Sequence, residues 1–431
     1  MTVHTFHGDG AFPAHKGMPW AARHGAPADI AQQGWRVLAG DLSFPLAVLK
    51  QDALEHNLRW MQDFAQRKGV WLAPHGKTTM SPELFRRQLD AGAWGLTLAT
   101  PYQACVGVEA GARRIIIANQ VVGDADWSLL DGLLTQVPDL KLWFLVDSLD
   151  QLHLLEAWAA RHASDRCFDV LLEMGIPGQR TGCRDFSGAL ALARAIAGSS
   201  HARLGGIECY EGGVARCDSA HDAAAVTDLV RRVQEVARAC DAEGLWAEGD
   251  AILITAGGSA VFDLVIPLLQ TQGLSRPVQG VLRSGCYVTH DHGNYRRFLQ
   301  LVEQREGLED SLRPALEVWA LVQSVPEPGL ALLTCGRRDI SHDLEMPMPV
   351  GHAPVGAEAV GSVPVHWKIT ALNDQHAYLR FDADQASAEA PRVGDRVVLG
   401  ISHPCTTFDK WRWMPVIDEA TRVVGAVTTR F

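Results

Sequence analysis

The stretch Val70-Trp71-Leu72-Ala73-Pro74-His75-Gly76-Lys77-Thr78-Thr79 decides how the rest of the chain is read. Four apolar residues suit a buried strand, Pro74 and Gly76 end it, and a lysine stands just beyond. On a parallel barrel the C-terminal strand ends carry the active site, so Lys77 would emerge from an apolar strand into the mouth. Desolvation there lowers an amine's pKa and makes it a useful nucleophile or base. Taken alone, a lysine at a strand end more often simply reaches solvent.

Seven more β-rich runs follow: Trp94–Thr100, Ile115–Gln120, Leu142–Asp147, Phe168–Gly175, Leu204–Tyr210, Ile252–Gly258 and Val278–Gly285. Helical periodicity separates them. It shows in Pro82–Ala91, where Leu84, Phe85 and Leu89 share a face, and in Ala223–Ala239 with Val226, Leu229, Val230 and Val233. Eight β-then-α units predict an α/β chain folded as a (β/α)8 barrel. An open doubly wound sheet is the alternative, and no GxGxxG follows an early strand to support dinucleotide binding.

After residue 310 the texture changes. Val318–Val325, Ala331–Cys335, Val363–Ile369, His376–Phe381 and Arg396–Ile401 read as strands with no helix-length segment between them. This predicts an antiparallel β domain. Pro45–Lys50 reads as an extra strand that joins it or leads into the barrel. The expected division is an N-terminal segment 1–50, a barrel 51–310 and a C-terminal β domain 311–431. His4, His7, His15 and His24 have no regular spacing and receive no role.

Composition narrows the classes. The 431 residues are 47% hydrophobic and 21% charged, as in a soluble globular protein. No apolar run reaches the length of a membrane span, and Met1–Trp20 has no secretory h-region, so a cytoplasmic location is expected. A formal charge of −11 argues against nucleic acid. Nine cysteines without a CxxC pair read as reduced thiols.

Two glycine turns end the last two barrel strands. Ala256-Gly257-Gly258-Ser259 precedes a helical reading of Ala260–Leu269, and Ser284-Gly285-Cys286-Tyr287 lies beside it in a closed ring. Backbone amides at such a turn, with a helix N-terminus behind them, can cradle a phosphate. An ordinary turn with Ser259 as N-cap is the alternative, and the two turns side by side favour a phosphorylated ligand. Arg180-Thr181-Gly182 could hold an anion or a cofactor oxygen. Glu208 and Tyr210 share a face of the sixth barrel strand and Glu211 precedes Gly212-Gly213; rim hydrogen bonding is the favoured account of each. His290-Asp291-His292 reads as a solvated loop. In Ile401-Ser402-His403-Pro404-Cys405-Thr406-Thr407-Phe408-Asp409, His403 and Cys405 stand two apart beyond a strand and can face one way. An imidazole and a thiolate suit zinc, and two protein ligands would leave positions open for water and substrate.

Together these pieces resemble the pyridoxal-phosphate enzymes of the alanine-racemase fold, fold type III. They are most similar to the D-serine dehydratase and D-threonine aldolase group, from about residue 40 to the C-terminus. Pro74-His75-Gly76-Lys77-Thr78 and His403-Pro404-Cys405-Thr406-Thr407-Phe408-Asp409 carry the resemblance most specifically. It implies Lys77 as the Schiff-base lysine and base at Cα, with His75, Arg180, Tyr210, Gly257, Gly258, Ser259, Gly285 and Tyr287 around the cofactor. It also implies Zn2+ on His403 and Cys405, acting as Lewis acid on a β-hydroxyl. The expected reaction is dehydration of a β-hydroxy D-amino acid to a 2-oxo acid and ammonia, in a homodimer whose site is built partly across the interface. An aldolase giving glycine and an aldehyde, and a racemase, stay open; the aldolases have His-x-Asp where this chain has Cys405. No carboxylate for the pyridine nitrogen stands at a recognisable position. Two stretches depart from the family: Thr79-Met80 replaces His-Lys after Lys77-Thr78, and Tyr210-Glu211-Gly212-Gly213 replaces Tyr-x-Gly-His. These look like the D-serine deaminase-like subgroup.

Overall fold

A computed structural model describes residues 15–19, 27–382 and 390–431. His4, His7 and His24 lie outside the described residues. The chain divides into two compact units: 58–287 with 297–311, and 1–57 with 288–296 and 312–431.

The second unit opens with β1, Leu46–Lys50. The first unit holds eight parallel strands: β2 Trp71–Leu72, β3 Leu96–Leu98, β4 Arg114–Gln120, β5 Lys141–Val146, β6 Phe168–Met174, β7 Ala202–Cys209, β8 Ile252–Ala256 and β9 Val278–Leu282. They pair in the order β2-β9-β8-β7-β6-β5-β4-β3. The ring closes where Trp94 N donates to Leu72 O at 2.8 Å, Thr97 N donates to Pro74 O at 2.9 Å, and His75 bridges Thr97. All eight expected strands form, and closure excludes the open sheet.

Ala73, Trp94, Ile116, Leu145, Leu171, Leu253 and Val281 meet in one buried cluster, as inward residues of a closed ring do. Trp143 joins them, stacked on Trp94 with ring centroids 5.7 Å apart. Its indole needs a gap opposite: a Cβ on Gly205 would come 2.8 Å from Trp143 Nε1. The helix Pro82–Asp90 starts as its sequence dictates, with Pro82 in the first turn and the Ser81 hydroxyl accepting from Leu84 N. It buries Leu84, Phe85 and Gln88.

In the second unit, β1 joins β10 Leu316–Glu327, β11 Leu330–Leu333, β12 Met348–Ala353, β13 Lys368–Leu372, β14 Ala377–Arg380, β15 Arg396–Gly400, β16 Trp413–Ile417 and β17 Val423–Thr428. This sheet is antiparallel except where β1 runs parallel to β16. Four of the five expected strands appear in place. Val363–Ile369 is displaced to β13, and β12, β16 and β17 went unread.

Two local expectations are corrected. Ala260–Leu269 is helical only over Ile266–Leu269, so no helix N-terminus backs the first glycine turn and Ser259 caps none. His290 and Asp291 are buried rather than solvated. The Asp291 carboxylate accepts from the amides of Gly293, Tyr295 and Arg296 at 3.0–3.2 Å, capping the helix Asn294–Glu306.

Candidate active site

Lys77 lies in a single 3-10 turn, Gly76–Thr78, with its side chain exposed. The strand before it is only two residues long, so the lysine follows an extended Ala73–His75 rather than the strand itself. The next residue but two, Met80, is buried with φ of +43°, a backbone region an L side chain enters only under constraint. This kink ends the lysine turn and delivers the chain to Ser81 and its helix.

The Lys77 turn is tied to the last strand. A Cβ on Gly285 would stand 2.4 Å from His75 O and 2.8 Å from His75 Cβ, so only glycine allows this approach. Thr78 Oγ1 and Cys286 Sγ are 3.5 Å apart. The two glycine turns are laced together as neighbours: Ser284 Oγ donates to Gly258 O at 2.7 Å and Cys286 N donates to Ser259 Oγ at 3.0 Å. Tyr287 is buried, and Gln88 donates to its hydroxyl at 3.3 Å.

Burial, then the charges of Lys77 and Arg283, holds His75 well below the usual imidazole range, so it is neutral. Its Nδ1 is buried and has no hydrogen-bond partner among the described residues. Arg283, one residue past β9, is 3% exposed and donates from Nη2 to Glu208 at 2.7 Å and to Cys209 O at 2.9 Å. Burial raises the Glu208 carboxyl to about 8 even against the pull of Arg283. Among the described residues Glu208 Oε2 and Arg283 Nε have no hydrogen-bond partner. Glu173 accepts from Gln120 at 2.5 Å and from Thr181 at 3.0 Å, and Arg180 lies over the Tyr210 ring at 4.4 Å.

Three buried carboxylates, Glu173, Glu208 and Glu211, thus stand at the ends of β6 and β7. Sequence reading gave Glu208 and Glu211 no more than rim hydrogen bonds and passed over Glu173 and Arg283. The signal available was a charged residue directly after an apolar run: Arg283 follows Val281-Leu282.

In the β unit, His403 and Cys405 flank Pro404, and Cys405 opens a short helix, Cys405–Phe408. Strand alternation therefore does not relate them, contrary to the sequence reading. His403 Nδ1 is 2.5 Å from Asp343 Oδ2, and Thr406 Oγ1 donates to Asp343 Oδ1 at 2.7 Å. Asp343 is sixty positions upstream of His403, and nothing in the sequence joins them. Cys405 is half-buried. Among the described residues no group of three or more His, Cys, Asp or Glu side chains could hold a metal ion. None of their helices is long and apolar enough to cross a membrane.

Comparison with known proteins agrees with this fold. Residues 49–262 match the family model of the alanine racemase N-terminal domain, and residues 315–417 match that of the serine dehydratase domain. A D-threonine aldolase from an Arthrobacter species is 30% identical over 368 residues, 85% of this chain and 86% of its own. The D-threo-3-hydroxyaspartate dehydratase of a Delftia species is 27% identical over 375 residues, 85% of this chain and 92% of its own. The crystal structure of D-threonine aldolase from Filomicrobium marinum superposes with a TM-score of 0.75 at 24% identity, covering 94% of this chain and 98% of that one. With a closed parallel ring, a mainly antiparallel second sheet and relatives matched along most of both lengths, this chain belongs to the fold type III, alanine racemase-like family of pyridoxal-phosphate enzymes, alongside the D-threonine aldolases and D-threo-3-hydroxyaspartate dehydratases.

Proposed function

We propose that this enzyme is a zinc-assisted dehydratase converting a β-hydroxy D-amino acid, D-serine-like, to a 2-oxo acid and ammonia. The observation that carries the reading is His403, whose Nδ1 is committed to Asp343 at 2.5 Å, two residues from the Cys405 thiol. A carboxylate on one ring nitrogen leaves the other, Nε2, to bind a metal. Imidazole and thiolate suit zinc, and two protein ligands leave room for water and a substrate hydroxyl. Hydroxide is a poor leaving group, so elimination gains most from a Lewis acid.

The barrel mouth fits pyridoxal phosphate on its own evidence. It offers an exposed amine at Lys77 and three buried polar atoms without partners: His75 Nδ1, Glu208 Oε2 and Arg283 Nε. Lys77 would carry the cofactor aldehyde, His75, Arg180 and Tyr210 would flank the ring, and Ser259 and Gly285 stand where the two glycine turns meet. When bound, the cofactor supplies a sink for the electron pair left at Cα. Lys77 then holds the Cα proton on Nζ, and neutral His75 adds no competing positive charge beside it. The β-hydroxyl leaves as water. The released enamine takes up water and gives a 2-oxo acid and ammonia, so no oxidant is consumed.

Identity to a D-threonine aldolase supports a second reading, Cα–Cβ cleavage to glycine and an aldehyde. One assay separates the two. Protein loaded with pyridoxal phosphate and zinc is given D-serine, D-threonine and D-threo-3-hydroxyaspartate. A 2-oxo acid with ammonia supports dehydration, whereas glycine with an aldehyde replaces it by aldol cleavage.

A further inference from the structure

The amides that the sequence assigns to a phosphate are already taken. Glu211 lies two residues beyond β7 and is fully buried. Its carboxylate accepts from Gly257 N at 3.1 Å on Oε2 and from Gly258 N at 2.7 Å on Oε1. Gly257 has φ of +104°, and a Cβ on Gly258 would sit 3.0 Å from the Tyr210 ring and 3.6 Å from Glu211 Oε1. The turn is therefore folded around this side chain. Both oxygens accept a hydrogen bond, the pattern of an ionised carboxylate; burial raises the pKa of this group, and the Gly258 and Gly257 amides oppose that rise. Two donors and two acceptors match with nothing left over.

A carboxylate and a phosphate ask the same of a glycine turn, since both are anions that only accept hydrogen bonds. A donor left at this turn is the Ser259 hydroxyl. Its oxygen accepts from Cys286 N at 3.0 Å, and among the described residues its hydrogen has no protein acceptor. We propose that Glu211 is an internal anion in the place of a phosphate on the Gly257–Gly258 turn, so that the cofactor's phosphate seats against Ser259 and is opposed by the charge beneath it. The proposal rests on the pyridoxal-phosphate reading. Glu211 acts through the turn and is a positioning residue.

The test titrates cofactor-free protein with pyridoxal phosphate and, separately, with pyridoxal, following the visible absorbance of the Lys77 adduct. Pyridoxal lacks only the phosphate, so the ratio of the two affinities isolates that group. Glu211→Gln keeps the outline and removes the charge, although its NH2 can accept from neither amide. It should tighten pyridoxal phosphate roughly tenfold and leave pyridoxal unchanged, the effect of one like charge removed at about 10 Å in an effective dielectric of about 20. Glu211→Ala opens both amides and should tighten it at least as far, with inorganic phosphate becoming a stronger competitor. Ser259→Ala in the unaltered background should weaken pyridoxal phosphate and spare pyridoxal. This variant reads the proposal independently if either Glu211 variant melts early by circular dichroism. Equal weakening of both ligands in Glu211→Gln, or no change in either, makes Glu211 a plain strut and overturns the proposal. Wild-type protein that takes up neither ligand overturns the cofactor reading instead.

Discussion

Lys77 is exposed, whereas Arg283, Glu208, Glu173 and Glu211 are buried. On the proposed reading Lys77 is the group that reacts. Lys77→Ala should abolish both the visible absorbance of cofactor-loaded protein and turnover, and borohydride should then label no residue at that position by mass spectrometry. Asp343→Asn should lower zinc affinity about 10- to 100-fold, the usual loss when a carboxylate behind a ligating histidine is removed. Competition with a coloured chelator measures it, and an unchanged affinity would leave Asp343 with no part in metal binding. His292 makes a third case. Burial first, then Lys50 and His290, lowers its pKa to about 3, and its Nδ1 has no hydrogen-bond partner among the described residues. The unfolded chain takes up this proton near 6.5 and the folded chain near 3, so stability present above 6.5 is lost as pH falls through that window. The loss is up to about 1.4 kcal/mol per pH unit. His292→Gln should flatten this slope in urea titrations at pH 4 to 6.5.

The ring strands were legible because strands buried on both sides are continuous apolar runs: Ile115-Ile116-Ile117 and Leu142–Val146 can hardly be anything else. The second sheet was harder to read. Pro349 in β12 and Pro415 in β16 remove backbone donors and look like strand breakers, yet Pro349 pairs with Leu399 and Pro415 with Ala426. At the site, Lys77 and the two glycine turns could be read from local pattern. Glu211 under the turn and Asp343 behind His403 could not, since each meets its partners across more than forty residues. A close joint beside the Lys77 turn is Gly285 against His75. Gly285→Ala should cost about 1–3 kcal/mol in urea unfolding, the range for forcing atoms into a packed site, and should weaken cofactor binding at the adjoining Lys77 turn.

Across the whole molecule, chain order and unit membership diverge. β1 comes from the first 57 residues yet lies inside the second sheet, paired with β10 on one side and β16 on the other. Residues 312–431 alone would lack the strand that links β16 and β17 to the rest, and also the 288–296 segment, whose His292 amide donates to Ile401 O at 2.9 Å. Such a fragment should show no cooperative melt by circular dichroism, and joining residues 43–57 and 288–296 to it through flexible linkers should restore one. A cooperative melt of 312–431 by itself would show that β1 is dispensable.

The ring is unevenly fastened. β6 and β7 pair across seven residues, whereas β2 meets its other neighbour through Trp94, Thr97 and one bridge at His75. A closed ring opens where it is held least, and here that clasp lies two residues from Lys77. Transient unclasping would let the Lys77 turn swing while the other strands keep their register, giving a bulky cofactor a way in that needs no unfolding. In deuterated water the amides of Trp94 and Thr97 should exchange well ahead of those in β6 and β7, and seating the cofactor should slow the first pair far more than the second.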